Sequence, residues 1–343
     1  LICMTGNYHE RTHALNYKDV YLVPNFSELM SRTQADTSLK IKDFRFTLPI
    51  MPSNMKTVVD LKTYHLYADL GVAPIMHRFD MANVDILRRI AHPWRAISVG
   101  VKDADKRGLE DCKGILQTPA CVCIDIAHGH SLAMLNMITF VRSTFPETII
   151  IAGNVTTPLA CRDLATWGAD LVKVGIGPGQ VCSTKNKTGF HMPMFTAIKE
   201  CAEQSPVPII ADGGIRNSGD LAKAIAAGAS GVFLGNLLAG TDEAPGDIVV
   251  DGTTRHKKYR GSASMESYEV QGKVADWRAA EGDAYLVPYR GPVSGVLREL
   301  EGGLRSALSY VGAHNIEEFQ QNAEFIQVST ASIKENGAHG KTR

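Results

Sequence analysis

The sequence predicts an α/β protein folded as a (β/α)8 (TIM) barrel. Three observations lead there: eight short apolar runs rich in β-branched residues, a near-constant spacing between them, and amphipathic segments in the gaps. The runs are Leu48–Met51, Val72–Met76, Ala96–Val99, Cys121–Ile124, Ile149–Ile151, Leu171–Val174, Pro208–Ile210 and Val232–Leu234. Measured between central residues from Ile50 to Leu234, the interval is 24 to 26 residues, with a single gap of 35. Such a period holds one strand, two loops and a helix of about ten to thirteen residues. Apolar strands without alternation imply a parallel sheet covered on both faces, and eight such units favour closure into a barrel. No GxGxxG follows the first run, which disfavours an open dinucleotide-binding sheet.

Between the fourth and fifth runs, Ser131 is placed to cap a helix with Leu132, Leu135, Ile138 and Val141 on one face, ending before Pro146. Asp220 to Gly228 reads as another helix. The long gap follows the sixth run, where Gly175–Gly189 is rich in glycine and small polar residues. Barrel chemistry sits on loops beyond the strand C-termini, so 175–189 is the expected catalytic loop. After the eighth run, residues 241–290 are expected to form a flap without regular structure, before Val293, Leu297, Leu300, Leu304 and Leu308 resume a helical period. The expected organisation is one domain over 1–343 with these two insertions.

Thirty-six basic and thirty-six acidic side chains cancel, so no global field attracts nucleic acid or anionic lipid. An anionic ligand must then be held by local geometry. Apolar runs such as Ile149–Ala152 fall far short of the ~20 residues of a membrane span, and neither end carries a targeting signal, so a cytoplasmic protein is expected. Seven cysteines with no CxxC pair support neither a disulfide framework nor a zinc site; most are expected free and buried.

Cys182 is the exception, since a glycine-rich loop at the catalytic end is a poor place to bury a thiol. A thiolate suits attack on an electron-poor carbon of a heteroaromatic ring. Gly213-Gly214 after the seventh run and Gly235-Asn236 after the eighth fit a phosphate site built from backbone N–H groups. Asp212 can accept from both hydroxyls of a ribose, or merely cap the following turn.

The run Gly175-Ile176-Gly177-Pro178-Gly179-Gln180-Val181-Cys182-Ser183-Thr184, with Asp212-Gly213-Gly214, Asn54-Met55, Asp125-Ile126-Ala127 and Tyr259-Arg260-Gly261-Ser262, resembles the inosine monophosphate dehydrogenase and GMP reductase family. The resemblance spans about residues 15 to 328. His77-Arg78 leads directly to an ordinary helix and the third run, without the regulatory (CBS) insert usual in the dehydrogenases. Trp277–Gly282, with Glu281, is similar to the flap of the reductases, and Tyr289-Arg290 reads as connecting chain. The resemblance therefore points to the reductase branch.

It implies NADPH-dependent reductive deamination of GMP to IMP and ammonia. Cys182 would add to purine C2, and Thr184 and Glu281 would relay a proton to the departing nitrogen, leaving a covalent thioimidate. Carried over residue by residue, Gly213, Gly214, Gly235 and Asn236 would face the phosphate and Asp212 the ribose, with Gly261, Ser262, Arg278 and Gly282 near the base. Arg78, Asp125, Ile126, Ala127, Ile176 and Gly177 would meet the dinucleotide, together with Ser31 and Arg32. Backbone carbonyls of Gly177, Gly179 and Cys182 resemble a loop that binds K+ in the family. Family members look like homotetramers whose cofactor site borrows from a neighbour, and Ser309–Gly312 is a candidate contribution. Gln180 stands where a serine often touches the phosphate, and Asn236 where glycine or serine is usual. The alternatives are an IMP dehydrogenase without its insert, making XMP with NAD, and a catalytically silent nucleotide-binding barrel.

Overall fold

A computed structural model describes residues 13–115, 118–179, 182–261 and 284–329. In chain order its strands are β1 (Val20–Val23), β2 (Leu39–Ile41), β3 (Phe44–Phe46), β4 (Ile50–Pro52), β5 (Ala96–Val99), β6 (Cys121–Asp125), β7 (Ile149–Val155), β8 (Leu171–Val174), β9 (Ile209–Asp212), β10 (Gly231–Leu234), β11 (Ile248–Asp251), β12 (Thr254–Arg260), β13 (Ala284–Pro288) and β14 (Glu324–Gln327). Seven of the eight predicted runs become β4 to β10, a parallel sheet in the order β4-β10-β9-β8-β7-β6-β5.

The eighth, Val72–Met76, does not form a ladder strand. Pro74 has no N–H to give. The run makes isolated links instead: Ala73 N–H donates to Ile50 O of β4 (3.0 Å), Met76 N–H to Ala96 O of β5 (2.9 Å), and Ser98 N–H returns to Met76 O (2.9 Å). It thus touches both edge strands of the sheet.

Between the strands lie α1 (Leu61–Asp69), α2 (Asn83–Arg89), α3 (Asp103–Glu110), α4 (Leu132–Thr144), α5 (Pro158–Thr166), α6 (Thr184–Thr188), α7 (Met194–Gln204), α8 (Ser218–Ala226) and α9 (Asn236–Ala239). Ser131 caps α4 as expected, its side chain accepting from Met134 N–H. The buried face of α4 differs from the expected one. It is Met134, Met137, Ile138 and Val141, while Leu132 is 71% exposed. Methionines fill the same spacing one turn-fraction round, and their flexible side chains pack as well as leucine. The cap of α8 is Asn217, which accepts from Asp220 N–H, so this helix starts before Asp220. The helix Val293–Ser309 buries all five residues of its predicted stripe.

The second insertion is not structureless. β11 and β12 form a hairpin whose register pairs Asp251 with Thr254, and β13 adds to β12 antiparallel. Gly252, at φ +58°, takes the positive-φ turn position that glycine allows. Tyr289 and Arg290 stitch the end of the insertion to its start: Tyr289 Oη donates to Asp242 Oδ1 (2.6 Å) and Arg290 N–H to Gly240 O (2.9 Å).

The sheet and its helices enclose a contiguous core. Trp94 is fully buried, edge-on to Phe44 (5.0 Å) and Phe46 (5.1 Å) of the β2–β3 hairpin, with Nε1–H donating to Pro74 O (2.8 Å). Among the described residues no helix is long and apolar enough to cross a membrane.

Asp170, at the start of β8, ties three elements together. It accepts from Lys42 Nζ (2.8 Å), Arg142 Nη2 (2.7 Å) and Ile150 N–H (2.8 Å). Desolvation pushes this carboxyl up, but Lys42, the Ile150 amide and Arg142 together hold it below its ordinary value. A carboxylate with a depressed folded-state pKa stabilises fully above the unfolded value of ~3.9, and its contribution is lost as pH falls through the folded value. Asp170→Asn is therefore expected to cost about 2 kcal/mol at neutral pH. The gap from wild type should close below about pH 4. Denaturant midpoints measured across pH check both the size and the direction.

Candidate active site

The C-terminal ends of five strands converge on one buried cation. Lys173 on β8 is 4% exposed, and its Nζ lies 3.1 Å from Asp125 Oδ1 at the end of β6 and 3.0 Å from Asp212 Oδ2 at the end of β9. Asn54, just after β4, donates from Nδ2 to Asp125 Oδ2 (2.9 Å). Asn154 on β7 donates from Nδ2 to Asp212 Oδ2 (2.7 Å) and to Gly175 O (2.6 Å). The face of the ammonium not used by carboxylates lies 4.5 Å from the Phe233 ring centroid.

Burial disfavours a charged lysine, yet Asp125 and Asp212 outweigh it and raise the pKa of the ammonium above its ordinary value. Burial would likewise push the Asp125 carboxyl up. Lys173, the Asn54 amide and Arg78 instead hold it below the usual carboxylate range. The pair is therefore ionised at neutral pH. The carboxylates reach the surface where the cation does not: the side chains of Asp125 and Asp212 are 25% and 22% exposed.

The thiol expected as nucleophile is set apart from its fellows. Of the cysteines at positions 112, 121, 123, 161, 182 and 201, all free, only Cys182 is not buried. Burial pushes the thiols of Cys121 and Cys123 well up, which makes them inert. Cys182 Sγ–H donates to Thr184 Oγ1 (3.1 Å), and its N–H closes a turn on Gly179 O (3.1 Å). The carbonyl of Gly179, one of the expected cation ligands, thus has one lone pair engaged. His191 Nδ1–H donates to Ile176 O (3.0 Å) and packs on Gly177, pinning the loop from its far side.

Close backbone contacts bring this loop to Asp212. A Cβ on Gly213, whose φ is +95°, would meet Pro178 Cγ at 3.0 Å and Gly179 N at 3.3 Å, and one on Gly175 would meet Asp212 O at 2.2 Å. Gly214, at φ +81°, turns against Tyr17 and Met194. Just after the neighbouring β10, Gly235 faces Tyr259 of β12, and Asn236 opens α9 with its Nδ2 buried and without a partner among the described residues. Burial, then the charge of Asp212, push the Tyr259 phenol well up. Asn154 Oδ1 and Ser183 Oγ are also buried without a partner among the described residues.

The remaining expected residues divide into three sets. Ile126 and Ala127 follow Asp125, with Ile126 N–H donating to Gly153 O (3.0 Å), and Arg78 packs its guanidinium on Gly100 within the electrostatic reach of Asp125. Gly261 is buried just beyond β12. Ser31 and Arg32 lie instead on an exposed turn where Arg32 Nη1 donates to Ser306 Oγ (2.8 Å), close to the chain around Tyr310, whose carbonyl accepts from Asn25 N–H. The structure does not hydrogen-bond this turn to the strand-end cluster. Ser262, Arg278, Glu281 and Gly282 lie outside the described residues, as does Gln180.

Sequence reasoning missed Lys173 and Asn154. The signal for the lysine was present: one charge inside a strand buried on both faces requires a buried partner. For Asn154, a polar residue ending the apolar run Ile149–Ala152, the signal was weaker.

Fold and site together define a parallel α/β protein that gathers paired charges at its strand C-termini, beside a loop carrying a partly exposed cysteine. The family model described as the IMP dehydrogenase / GMP reductase domain matches residues 14–339, and the chain belongs to that family. It is 41% identical over 316 residues to the GMP reductase of Chromobacterium violaceum, covering 92% of this chain and 98% of that protein. The GMP reductase of Ligilactobacillus salivarius is 41% identical over 306 residues, 88% and 92% of the two chains. That of Acidovorax sp. is 41% identical over 311 residues, 89% and 94%.

Gly235 carries a steric prediction. A Cβ there would lie 2.2 Å from Tyr259 Oη, so Gly235→Ala is expected to cost about 1–3 kcal/mol by overpacking. Adding Tyr259→Phe, which deletes that oxygen, should return part of the loss in thermal unfolding.

Proposed function

We propose that the chain catalyses the NADPH-dependent reductive deamination of GMP to IMP and ammonia, a step of purine nucleotide interconversion. The names of its relatives support this reaction. One observation in the site carries it: a partly exposed thiol, hydrogen-bonded to a threonine hydroxyl, lies on a loop whose Pro178 and Gly179 pack on Gly213 after Asp212. The proposal includes a closed (β/α)8 barrel with Val72–Met76 as its eighth stave, supported by the bonds of that run to β4 and β5. It also takes the chain as one domain.

Asp212 has Oδ2 committed to Lys173 and Asn154, so Oδ1 is left to accept from the ribose hydroxyls. Gly213, Gly214 and Gly235 supply backbone to the phosphate, and Asn236 Nδ2, without a partner among the described residues, is a donor suited to it. Gly261, Ser262, Arg278 and Gly282 are assigned to the base. The dinucleotide is assigned to Asp125, Ile126, Ala127, Ile176, Gly177 and Arg78, where a carboxylate at a strand end suits ribose hydroxyls and a guanidinium suits phosphate. When bound, the reduced nicotinamide supplies the hydride that C2 of the purine receives. Ser31 and Arg32, on their exposed turn, and the neighbouring chain Ser309–Gly312, where Tyr310 is exposed, are assigned to the cofactor site of a neighbouring copy in a homotetramer. A K+ ion is assigned to the carbonyls of Gly177, Gly179 and Cys182.

In the chemical steps, Cys182 Sγ loses its proton toward Thr184 and forms a bond to C2. Glu281 holds a proton and, through Thr184, delivers it to the exocyclic nitrogen, which leaves as ammonia. After C2 is reduced, the C2–S bond breaks and Cys182 departs as thiolate, so atoms and charge balance without water.

Purified protein given GMP and NADPH should consume the reduced nicotinamide and release IMP and ammonia in equal amounts. XMP formed from IMP and NAD would place the chain on the dehydrogenase branch instead, and GMP binding without turnover would mark a silent barrel. Cys182→Ala should abolish all turnover. Glu281→Gln should stop ammonia release while hydride transfer between IMP and NADP persists in single turnover; equal loss of both would assign Glu281 a structural role.

A further inference from the structure

We propose that Lys173 is a positioning residue that couples the ribose and cofactor subsites, because the acceptors assigned to the two ligands share its single buried ammonium. The inference rests on the assignment of Asp212 to the GMP ribose and Asp125 to the dinucleotide. The geometry behind it is independent of either ligand.

In the sheet register, Asp125 on β6 sits opposite Gly153 on β7, and Gly153 sits opposite Lys173 on β8. These three residues form one row across the strands. A Cβ on Gly153 would lie 2.6 Å from Lys173 Cβ, so only glycine leaves room for the lysine to pack across the row and reach Asp125. In the other direction the same Nζ meets Asp212 Oδ2 at 3.0 Å. With Lys173 4% exposed, bulk water cannot replace either partner.

Each carboxylate is also fixed on its outer flank, Asp125 by Asn54 and Asp212 by Asn154. Oδ1 of Asp212 accepts no hydrogen bond among the described residues. Lys173 therefore does two things for GMP. It holds Asp212 through Oδ2, which leaves Oδ1 to accept from the ribose, and it divides its charge between Asp212 and Asp125. Neutralising Asp125 commits the ammonium to Asp212 alone, which lowers the acceptor strength that Asp212 offers the ribose. A change on the cofactor side is thus felt at the GMP side with no cofactor bound.

The test is the affinity of the full-length chain for GMP, measured by calorimetry without any dinucleotide. Asp125→Asn is expected to weaken GMP binding roughly 3- to 10-fold, the range of coupling between residues that share a partner. Binding of the 2′,3′-dideoxy analogue of GMP, which lacks the ribose hydroxyls, should not change, whereas a general structural disturbance would weaken both. In a Lys173→Met background, Asp125→Asn should no longer weaken GMP binding, and Lys173→Arg, which keeps the charge, should restore the effect. If Lys173→Met does not fold, the comparison of GMP with its dideoxy analogue in Asp125→Asn decides the matter alone. Unchanged GMP affinity in Asp125→Asn, with normal binding by wild type, overturns the coupling and leaves the proposed reaction standing. Wild type binding GMP and the dideoxy analogue equally would overturn the ribose assignment instead, and wild type failing to bind GMP would overturn the reaction.

Discussion

The placement of one lysine inside the sheet constrains everything built on its C-terminal edge. A charge removed from water is tolerated only when it is paired and hydrogen-bonded. Lys173 meets that condition by drawing on two strands at once, β6 through Asp125 and β9 through Asp212. Removing one partner from such a buried group costs about 3–5 kcal/mol, so the two carboxylates are held at the strand ends by the stability of the fold. The same carboxylates are partly exposed and available to ligands. Structure and site thus depend on the same three charges.

Around this centre the loops are packed through glycines. Gly175, Gly213 and Gly235 each face a neighbour that a Cβ would displace: Asp212 O, Pro178 and Tyr259 Oη. These contacts lay the cysteine loop over the turn that follows β9. Chemical identity does not distinguish Cys182 from Cys121 or Cys123. The strand pair is fully buried with raised pKa values, while the loop thiol is within reach of solvent and of Thr184.

What was legible in the sequence follows from the range of the forces involved. The strand period, the Ser131 cap and the Val293–Leu308 stripe are local patterns, and they appear in the fold. Val72–Met76 reads as a strand by composition, but Pro74 withholds a donor and the run is left with isolated links. The hairpin of β11 and β12 was missed in a stretch expected to lack regular structure, because the turn pair Asp251-Gly252 is flanked by strands whose polar residues mask the β pattern. Within the site, Cys182, Thr184, Asp212 and Asp125 were readable as motifs. Their connection through Lys173, Asn54 and Asn154 was not, since it joins residues 39 to 71 positions apart through the sheet register alone.

The charge arithmetic of the centre also orients the proposed substrate. Lys173 divides one positive charge between Asp125 and Asp212 and Arg78 adds its own beside Asp125, so the excess of negative charge is left at the end of β9, on a chain with no net charge to offset it. A nucleotide phosphate is repelled from that point at distances within the ~8 Å Debye length of physiological salt. Hydroxyls, being donors, are attracted to it. On the assigned reading the phosphate is driven toward the glycine turns after β9 and β10, where backbone and the Asn236 amide offer donors without a carboxylate, and the ribose is drawn to Asp212. The nucleotide then has one favourable direction along the sheet edge, and that direction carries its base toward the Cys182 loop packed on the same turn.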